Sequence, residues 1–385
     1  MPLGIYVHVP FCSQRCSYCD FYFVTTSRAT GPFVQALAVE AEAYAARVTE
    51  PVGTIYVGGG TPSLLPLDDV AALLGALHAH YDTAAVEEVT FEANPEDLAG
   101  PDGLDYLRGL QSLGVTRLSV GVQSFYDEDL RRMNRAHSGA QAEQAIANVE
   151  KACFGSYSVD LIFGLPEQPF ELWGANLERA ARLGVPHLST YSLTVEERTP
   201  LHKMVRAGKV AVPGDDALRE RFLFTMDYLT QRGYEHYEVC TFSKPGHRSR
   251  HNQGYWRHEP YLGLGPSAHG MLWKTRSLAE RVQNVRNLNK WEALLQQGAW
   301  PVEHTEPLLL DQLADEHVLL RLRLMDEGLD LDHLRDRYGF DLRAEKAAEL
   351  RALQSGGLVQ QDGATLRLTR EGACVADAVA LKLIG

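Results

Sequence analysis

The sequence predicts an α/β fold, a sheet of parallel strands covered by helices, followed by a small α+β domain. Short β-rich runs alternate with helical stretches through the first two hundred residues, the pattern of successive βα units. Residues able to do chemistry follow the C-terminal ends of those runs, where barrel folds place their sites. Near residue 304 the texture changes to helical segments and a hairpin pattern. A chain of 385 residues has the mass for one large domain and one smaller one, set here at 1–303 and 304–385.

Six strands are expected at residues 4–9, 54–57, 88–93, 116–120, 158–163 and 187–193, each a β-branched or apolar run of strand length. Helices at 32–48, 67–80, 140–151 and 170–183 lie among them. Six βα units are fewer than the eight of a closed barrel. From about 197 to 302 the chain extends this domain, with a strand at 236–241 and helices near 218–231 and 288–297. Helices at 310–325, 331–337 and 343–354 then precede runs at 357–361 and 365–369 joined by Asp362-Gly363, a hairpin signal. Three helices and a hairpin resemble a winged helix, a fold often used on DNA. Residues 306–385 hold 15 Asp/Glu and 10 Lys/Arg, and that sign opposes phosphate binding. This domain therefore reads as a lid or an interaction surface.

Composition narrows the function classes. Hydrophobic content of 45% and charged content of 23% are ordinary for a globular protein. No apolar run reaches the roughly 18 residues of a membrane span. A net charge of −13 argues against nucleic acid as a partner. The opening residues lead directly into a strand without a signal peptide, which with unpaired cysteines predicts a cytoplasmic protein.

Cys12, Cys16 and Cys19 lie within eight residues, directly after the first predicted strand. Cluster irons are held by cysteine sulfur, and three thiolates on a four-iron cubane leave one iron open to a small molecule. Tyr18, Phe21 and Tyr22 would shield such a cluster. Zinc is the competing reading: it takes four ligands, and Cys153, Cys240 and Cys374 are distant, which leaves His8 as the nearest fourth donor.

The Cys-x3-Cys-x2-Cys spacing followed by an aromatic resembles the signature of the radical S-adenosylmethionine (SAM) enzymes. The wider string from Tyr6 to Phe21 is similar to one branch, which holds oxygen-independent coproporphyrinogen III oxidase and the HemW haem chaperones. The resemblance implies a partial (β/α)6 TIM-like barrel, a 4Fe-4S cluster on Cys12, Cys16 and Cys19, and SAM on the open iron, where one electron splits it into methionine and a 5′-deoxyadenosyl radical. It also implies SAM contacts. Gly58, Gly59, Gly60 and Thr61, after strand two, match the Gly-rich segment that meets the methionine amine. Glu92 matches the acid that accepts ribose hydroxyls. Gln123, Arg135 and Asp160 match further ligand contacts, and Tyr6 a residue near the first SAM. Arg135 and Asp160 are also capable of binding each other as a structural ion pair.

Two features depart from the oxidase. Its branch carries a further cysteine two positions after the third ligand, where this chain has Phe21. His251, Asn252, Tyr255 and Trp256 form a string resembling the His-Asn-x-x-Tyr-Trp motif of the chaperone branch. The motif suits haem, since imidazole and phenolate ligate iron and Trp offers a flat apolar face. Arg248 and Arg250 are near enough in sequence to pair with propionates, and His269 is an alternative iron ligand. The expectation is a haem chaperone that delivers haem to acceptors such as cytochromes or respiratory enzymes, served by an electron donor, with a homodimer left open. The rival is coproporphyrinogen III oxidation by the adenosyl radical. The chaperone reading implies no such oxidase activity and leaves open whether the chain is an enzyme.

Overall fold

The computed structural model describes residues 2–25 and 30–385. Six strands run parallel and in sequence order: β1 (Leu3–Val9), β2 (Val52–Gly59), β3 (Glu88–Ala93), β4 (Arg117–Gln123), β5 (Ser156–Phe163) and β6 (His187–Ser192). Helices including Gly31–Ala45, Leu67–His80, Gly139–Ala152 and Phe170–Arg182 connect them. These are the predicted units within a few residues, and they make a partial (β/α)6 barrel.

The two-residue period of a strand divides its side chains between two environments. Ile5, Val7 and Val9, Ile55 and Val57, Val89 and Phe91, Leu118 and Val120, Val159 and Leu161, and Leu188 are all buried in the hydrophobic core. The alternate positions are polar or small: Tyr6 and His8, Tyr56, Thr90 and Glu92, Ser119, Ser158 and Asp160, Ser189 and Tyr191. They pair across the inner wall, Tyr6 opposite Tyr56, Glu92 opposite Ser119 and Asp160 opposite Ser189. One face of the sheet stabilises the fold and the other is free to hold a ligand.

Beyond the six strands the structure exceeds the sequence reading. β9 (Tyr261–Leu264) adds parallel to β1, and β10 (His269–Thr275), β11 (Leu278–Asn284) and β12 (Val302–Leu308) extend that edge antiparallel. The other edge gains β8 (Thr241–Ser243) and β7 (Glu235–Glu238), a hairpin in place of the one strand expected at 236–241. Among the described residues the sheet has twelve strands in the order β12-β11-β10-β9-β1-β2-β3-β4-β5-β6-β8-β7. The expected boundary between 303 and 304 falls inside β12, whose ladder with β11 keeps residues 302–308 with the large sheet.

The small unit after β12 contains the expected helices, Leu310–Arg321, Leu331–Tyr338 and Ala347–Ser355, and the hairpin of β14 (Val359–Asp362) and β15 (Thr365–Leu368). A short strand, β13 (Leu329–Asp330), pairs with β15. The unit is joined to the barrel by the Arg257–Glu327 and Arg248–Asp326 ion pairs and a backbone bridge between Glu238 and Leu324. Among the described residues no helix is long and apolar enough to cross a membrane.

Candidate cofactor site

The segment after β1 is held from outside itself. Cys12 N donates to the Val24 carbonyl (3.1 Å), Ser17 N to the Met133 carbonyl (2.9 Å) and Gln14 Nε2 to the Asn134 carbonyl (2.9 Å), while Asn134 Nδ2 donates back to the Arg15 carbonyl (2.6 Å). The stretch 132–135 thus clamps the cysteine loop. All three thiols line a cavity of about 710 Å³ at the C-terminal ends of the parallel strands. A chain of hydrogen bonds joins two of them. Thr61 Oγ1 donates to Cys12 Sγ (3.6 Å), Asn94 Nδ2 to Thr61 Oγ1 (3.2 Å), Arg135 Nη2 to Asn94 Oδ1 (2.8 Å) and Arg135 Nη1 to Cys16 Sγ (3.4 Å). Donors aimed at sulfur suit thiolate ligands of a cluster, whose potential such bonds set. The zinc reading fares worse. Both ring nitrogens of His8, its nearest fourth donor, are committed elsewhere.

Gly59, Gly60, Thr61, Glu92, Gln123, Arg135 and Asp160 line this cavity with the cysteines, and so do Asn94, Ser119, Ser189 and Tyr191. Glu92 Oε1 accepts from Tyr56 Oη (2.7 Å) and Oε2 from Gly59 N (3.0 Å). Burial pushes its carboxyl up to about 7 against those two bonds. Asp160 accepts from Ser119 Oγ (3.1 Å), and burial raises it too. Arg135 and Asp160 are not paired: the guanidinium is spent on Asn94, Cys16 and the Gly121 carbonyl. Thr90 Oγ1, Arg117 Nη2 and His187 Nδ1, on residues that line the cavity, remain buried without a protein partner. Buried polar groups normally have partners, so three orphans around one cavity suit a ligand rich in hydroxyl, amino and carboxylate groups.

Two expected contacts are placed differently. A Cβ on Gly58 would lie 2.8 Å from the Glu92 carboxyl carbon, so this glycine makes room for Glu92 and does not line the cavity. Gly59 and Gly60 do line it. At Gly60 a Cβ would lie 2.6 Å from the Phe11 carbonyl oxygen, and Gly59 has φ of 112°. Tyr6 opens on a second cavity beside the first, and its hydroxyl bonds His8 Nδ1 (3.0 Å). Sequence reading missed Asn94 as the middle of the cysteine-linking chain. Its position at the end of β3, beside Glu92, was the available signal.

The second cavity measures about 800 Å³ and shares Asp20, Phe21, Gly59 and Glu92 with the first. Its walls combine the aromatics Tyr6, Tyr22, Tyr255, Trp256 and Tyr261 with the charged side chains of Glu259, Glu316, Arg281 and Arg286, and with Leu319 and Leu320 from the small unit. The His251–Trp256 string forms a short helix, Arg250–Trp256, whose first backbone amides donate to Glu88 (3.0 and 2.9 Å). The helix splits the motif. Tyr255 and Trp256 face the second cavity and Asn252 the first. His251 faces neither. It is buried, with Nδ1 bonded to Thr54 Oγ1 (2.8 Å) and Nε2 to Tyr255 Oη (2.8 Å), and holds the Tyr255 ring in place. Arg248 and Arg250 are likewise spent, Arg248 on Glu235 and Asp326 and Arg250 on Glu87.

Known proteins match this arrangement. Residues 6–180 match the Radical SAM superfamily and residues 308–375 the HemN C-terminal domain. The chain is 37% identical to the heme chaperone HemW of Mycobacterium tuberculosis (strain ATCC 25618 / H37Rv), covering 100% of this chain and 95% of that one. It is 30% identical to HemW of Bacillus subtilis (strain 168), with 97% of each chain covered, and 38% identical to HemW of Escherichia coli (strain K12) over 70% of each. The solved coproporphyrinogen III oxidase HemN of Escherichia coli superposes with a TM-score of 0.83 over 100% of this chain and 90% of that one, at 23% identity, a likeness of fold. With full-length relatives at this identity, the chain belongs to the HemW family within the radical SAM superfamily.

Proposed function

We propose that this protein is a haem chaperone that binds haem beside an iron–sulfur and SAM site and delivers it to acceptor haemoproteins. The supporting observation is the pair of adjoining cavities, one lined by three cysteines and polar strand residues, the other walled by aromatics. Cys12, Cys16 and Cys19 would hold the 4Fe-4S cluster. Gly59, Gly60, Thr61, Glu92, Gln123, Arg135 and Asp160 would hold SAM, with Tyr6 at the border. Bound there, the cluster supplies an electron and an open iron for the SAM amino and carboxylate groups. The chain's own part is to shield and orient: Arg135 and Thr61 donate to the sulfurs, and Glu92 offers acceptors to ribose hydroxyls. Residues 309–385 form a small domain that closes one side of the second cavity through Leu319 and Leu320. Its cargo passes to haem-accepting proteins, and an electron donor serves the cluster. All six cysteines are free, which fits the reducing cytoplasm.

Phe21 favours transport over porphyrinogen oxidation. It is 72% exposed on the shared wall of both cavities, an apolar ring where the oxidase branch carries a thiol. Anaerobically reconstituted protein should bind haem one to one with a defined Soret band, pass it to an apo-cytochrome, and leave coproporphyrinogen III unchanged. Decarboxylation several-fold above a Cys19→Ser control, without saturable haem binding, would establish the oxidase instead.

A further inference from the structure

We infer that haem sits in the second cavity with the His269 imidazole on its iron and the Arg286 guanidinium on a propionate. The inference rests on the chaperone reading and assigns the residues that hold the cargo. At about 800 Å³ the cavity falls within the roughly 300–1,000 Å³ of small-molecule sites; its aromatic side chains suit a flat macrocycle and its arginines the propionates at the macrocycle's edge.

Three histidines line the cavity and a fourth backs it, and their partners separate them. His8 donates from Nε2 to the Tyr22 carbonyl (2.8 Å) and accepts at Nδ1 from Tyr6 (3.0 Å). His251, behind Tyr255, has both nitrogens engaged. His258 has Nε2 3.4 Å from a Glu316 carboxylate oxygen and Nδ1 without a partner, and it is its burial that sets it apart. The His269 side chain reaches solvent at the cavity edge, and its imidazole makes no hydrogen bond among the described residues, while its backbone pairs with Gln283. Partial burial, aided by the nearby cations Arg281 and Arg286, holds the imidazole below its ordinary range, which favours the neutral form that binds iron. Met271, the thioether on this wall, is buried, and the Tyr255 hydroxyl is held by His251.

His269 is also well braced. Gly265 N donates to buried Glu40 Oε2 (2.7 Å), Asn284 Nδ2 to Glu40 Oε1 (2.6 Å) and to the Gly265 carbonyl (2.8 Å), and Asn284 N to the Ala268 carbonyl (2.9 Å). A Cβ at Gly263 would lie 1.9 Å from the His269 carbonyl oxygen, so β9 lies against the start of β10. A ligand whose backbone is fixed from two sides loses little freedom on binding. The anion partner follows by the same elimination. Arg281 Nη2 donates to both oxygens of Glu316 (2.7 Å each) and Nη1 to Glu306 (3.4 Å), whereas Arg286 donates to the Asp20 carbonyl (3.0 Å) and has no carboxylate partner among the described residues.

The full chain, anaerobically reconstituted, is titrated with haem and with haem dimethyl ester, whose propionates are blocked. Wild type should show an imidazole-ligated Soret band and paramagnetic resonance signature. His269→Ala should weaken haem at least tenfold and lose that signature, and added free imidazole should restore it, while iron content and SAM affinity stay at wild-type values. Arg286→Ala should weaken haem but leave the dimethyl ester unaffected. Haem binding by His269→Ala with unchanged affinity and spectrum would overturn the assignment while leaving the chaperone reading standing. Equal loss of haem and dimethyl ester in Arg286→Ala would remove the propionate contact. A wild type that binds neither compound would sink both the assignment and the reading.

Discussion

Glu92 shows how one side chain links the two cavities. Its carboxyl lines both, and burial keeps it near pH 7 although Tyr56 and Gly59 donate to it. A raised acid is protonated below its pKa and ionised above it, and ribose hydroxyls donate best to the ionised form. SAM affinity should therefore increase as pH rises through about 7, and Glu92→Gln should flatten that rise. Glu92→Ala should weaken SAM by about 1–3 kcal/mol, the range for losing a charged hydrogen-bond partner. Equilibrium dialysis across pH 6–8 with all three proteins checks both; parallel pH profiles for wild type and Glu92→Gln would exclude Glu92 as the source. At this scale the sequence was informative where a residue type and a strand end coincide, as for Cys12, Glu92 and Asp160. It was silent on the partners of His251, because nothing local reveals that Thr54 and Tyr255 occupy both ring nitrogens.

The glycine loop after β2 passes so close to the cysteine segment that the elements exclude a side chain. Gly60 N donates to the Val9 carbonyl (2.7 Å), and a Cβ there would sit 2.6 Å from the Phe11 carbonyl oxygen and 2.9 Å from that of Val9. Backbone atoms cannot swing aside as a side chain can. Gly60→Ala should cost about 1–3 kcal/mol as overpacking and reduce iron content by displacing Phe11 and Cys12. Gly75, exposed in the helix Leu67–His80 with nothing within 4 Å of an added Cβ, gives the contrast. Gly75→Ala should stabilise by about 0.5–1 kcal/mol, because glycine is entropically costly inside a helix. Thermal melts and iron assays of the two variants decide the matter, and a Gly60→Ala protein with wild-type stability and iron would refute the close-approach argument. The βα units were legible because strand and helix periods are local. The helix Arg250–Trp256 and β9 were not, since they span only seven and four residues, and β10 to β12 were not, since polar residues interrupt their apolar pattern.

Across the whole molecule, Glu40 ties the helix after the cysteine loop to the β9–β10 turn from 225 residues away. It is fully buried, and desolvation raises its carboxyl to about 7 against the bonds from Gly265 and Asn284. The folded state then binds more protons than the unfolded one between pH 4.5 and 7, so this group's contribution is greatest below pH 4.5 and falls as pH rises to 7. A shift of that size corresponds to about 3 kcal/mol. Urea unfolding from pH 4.5 to 8 should show wild type losing stability relative to Glu40→Gln over that window, and a constant difference between them would exclude the effect. The sequence alone determined the parallel α/β class, the polar and apolar faces of each strand and the cysteine loop, because these depend on residue type and on periods of a few residues. Tertiary structure decided which polar faces meet: β9 lies beside β1, and this sets Tyr255, Tyr261 and His269 around a second cavity that opens onto Glu92. Those neighbours depend on pairing between segments more than two hundred residues apart, and such pairing is set by the summed burial of the whole sheet, which no short stretch of chain encodes.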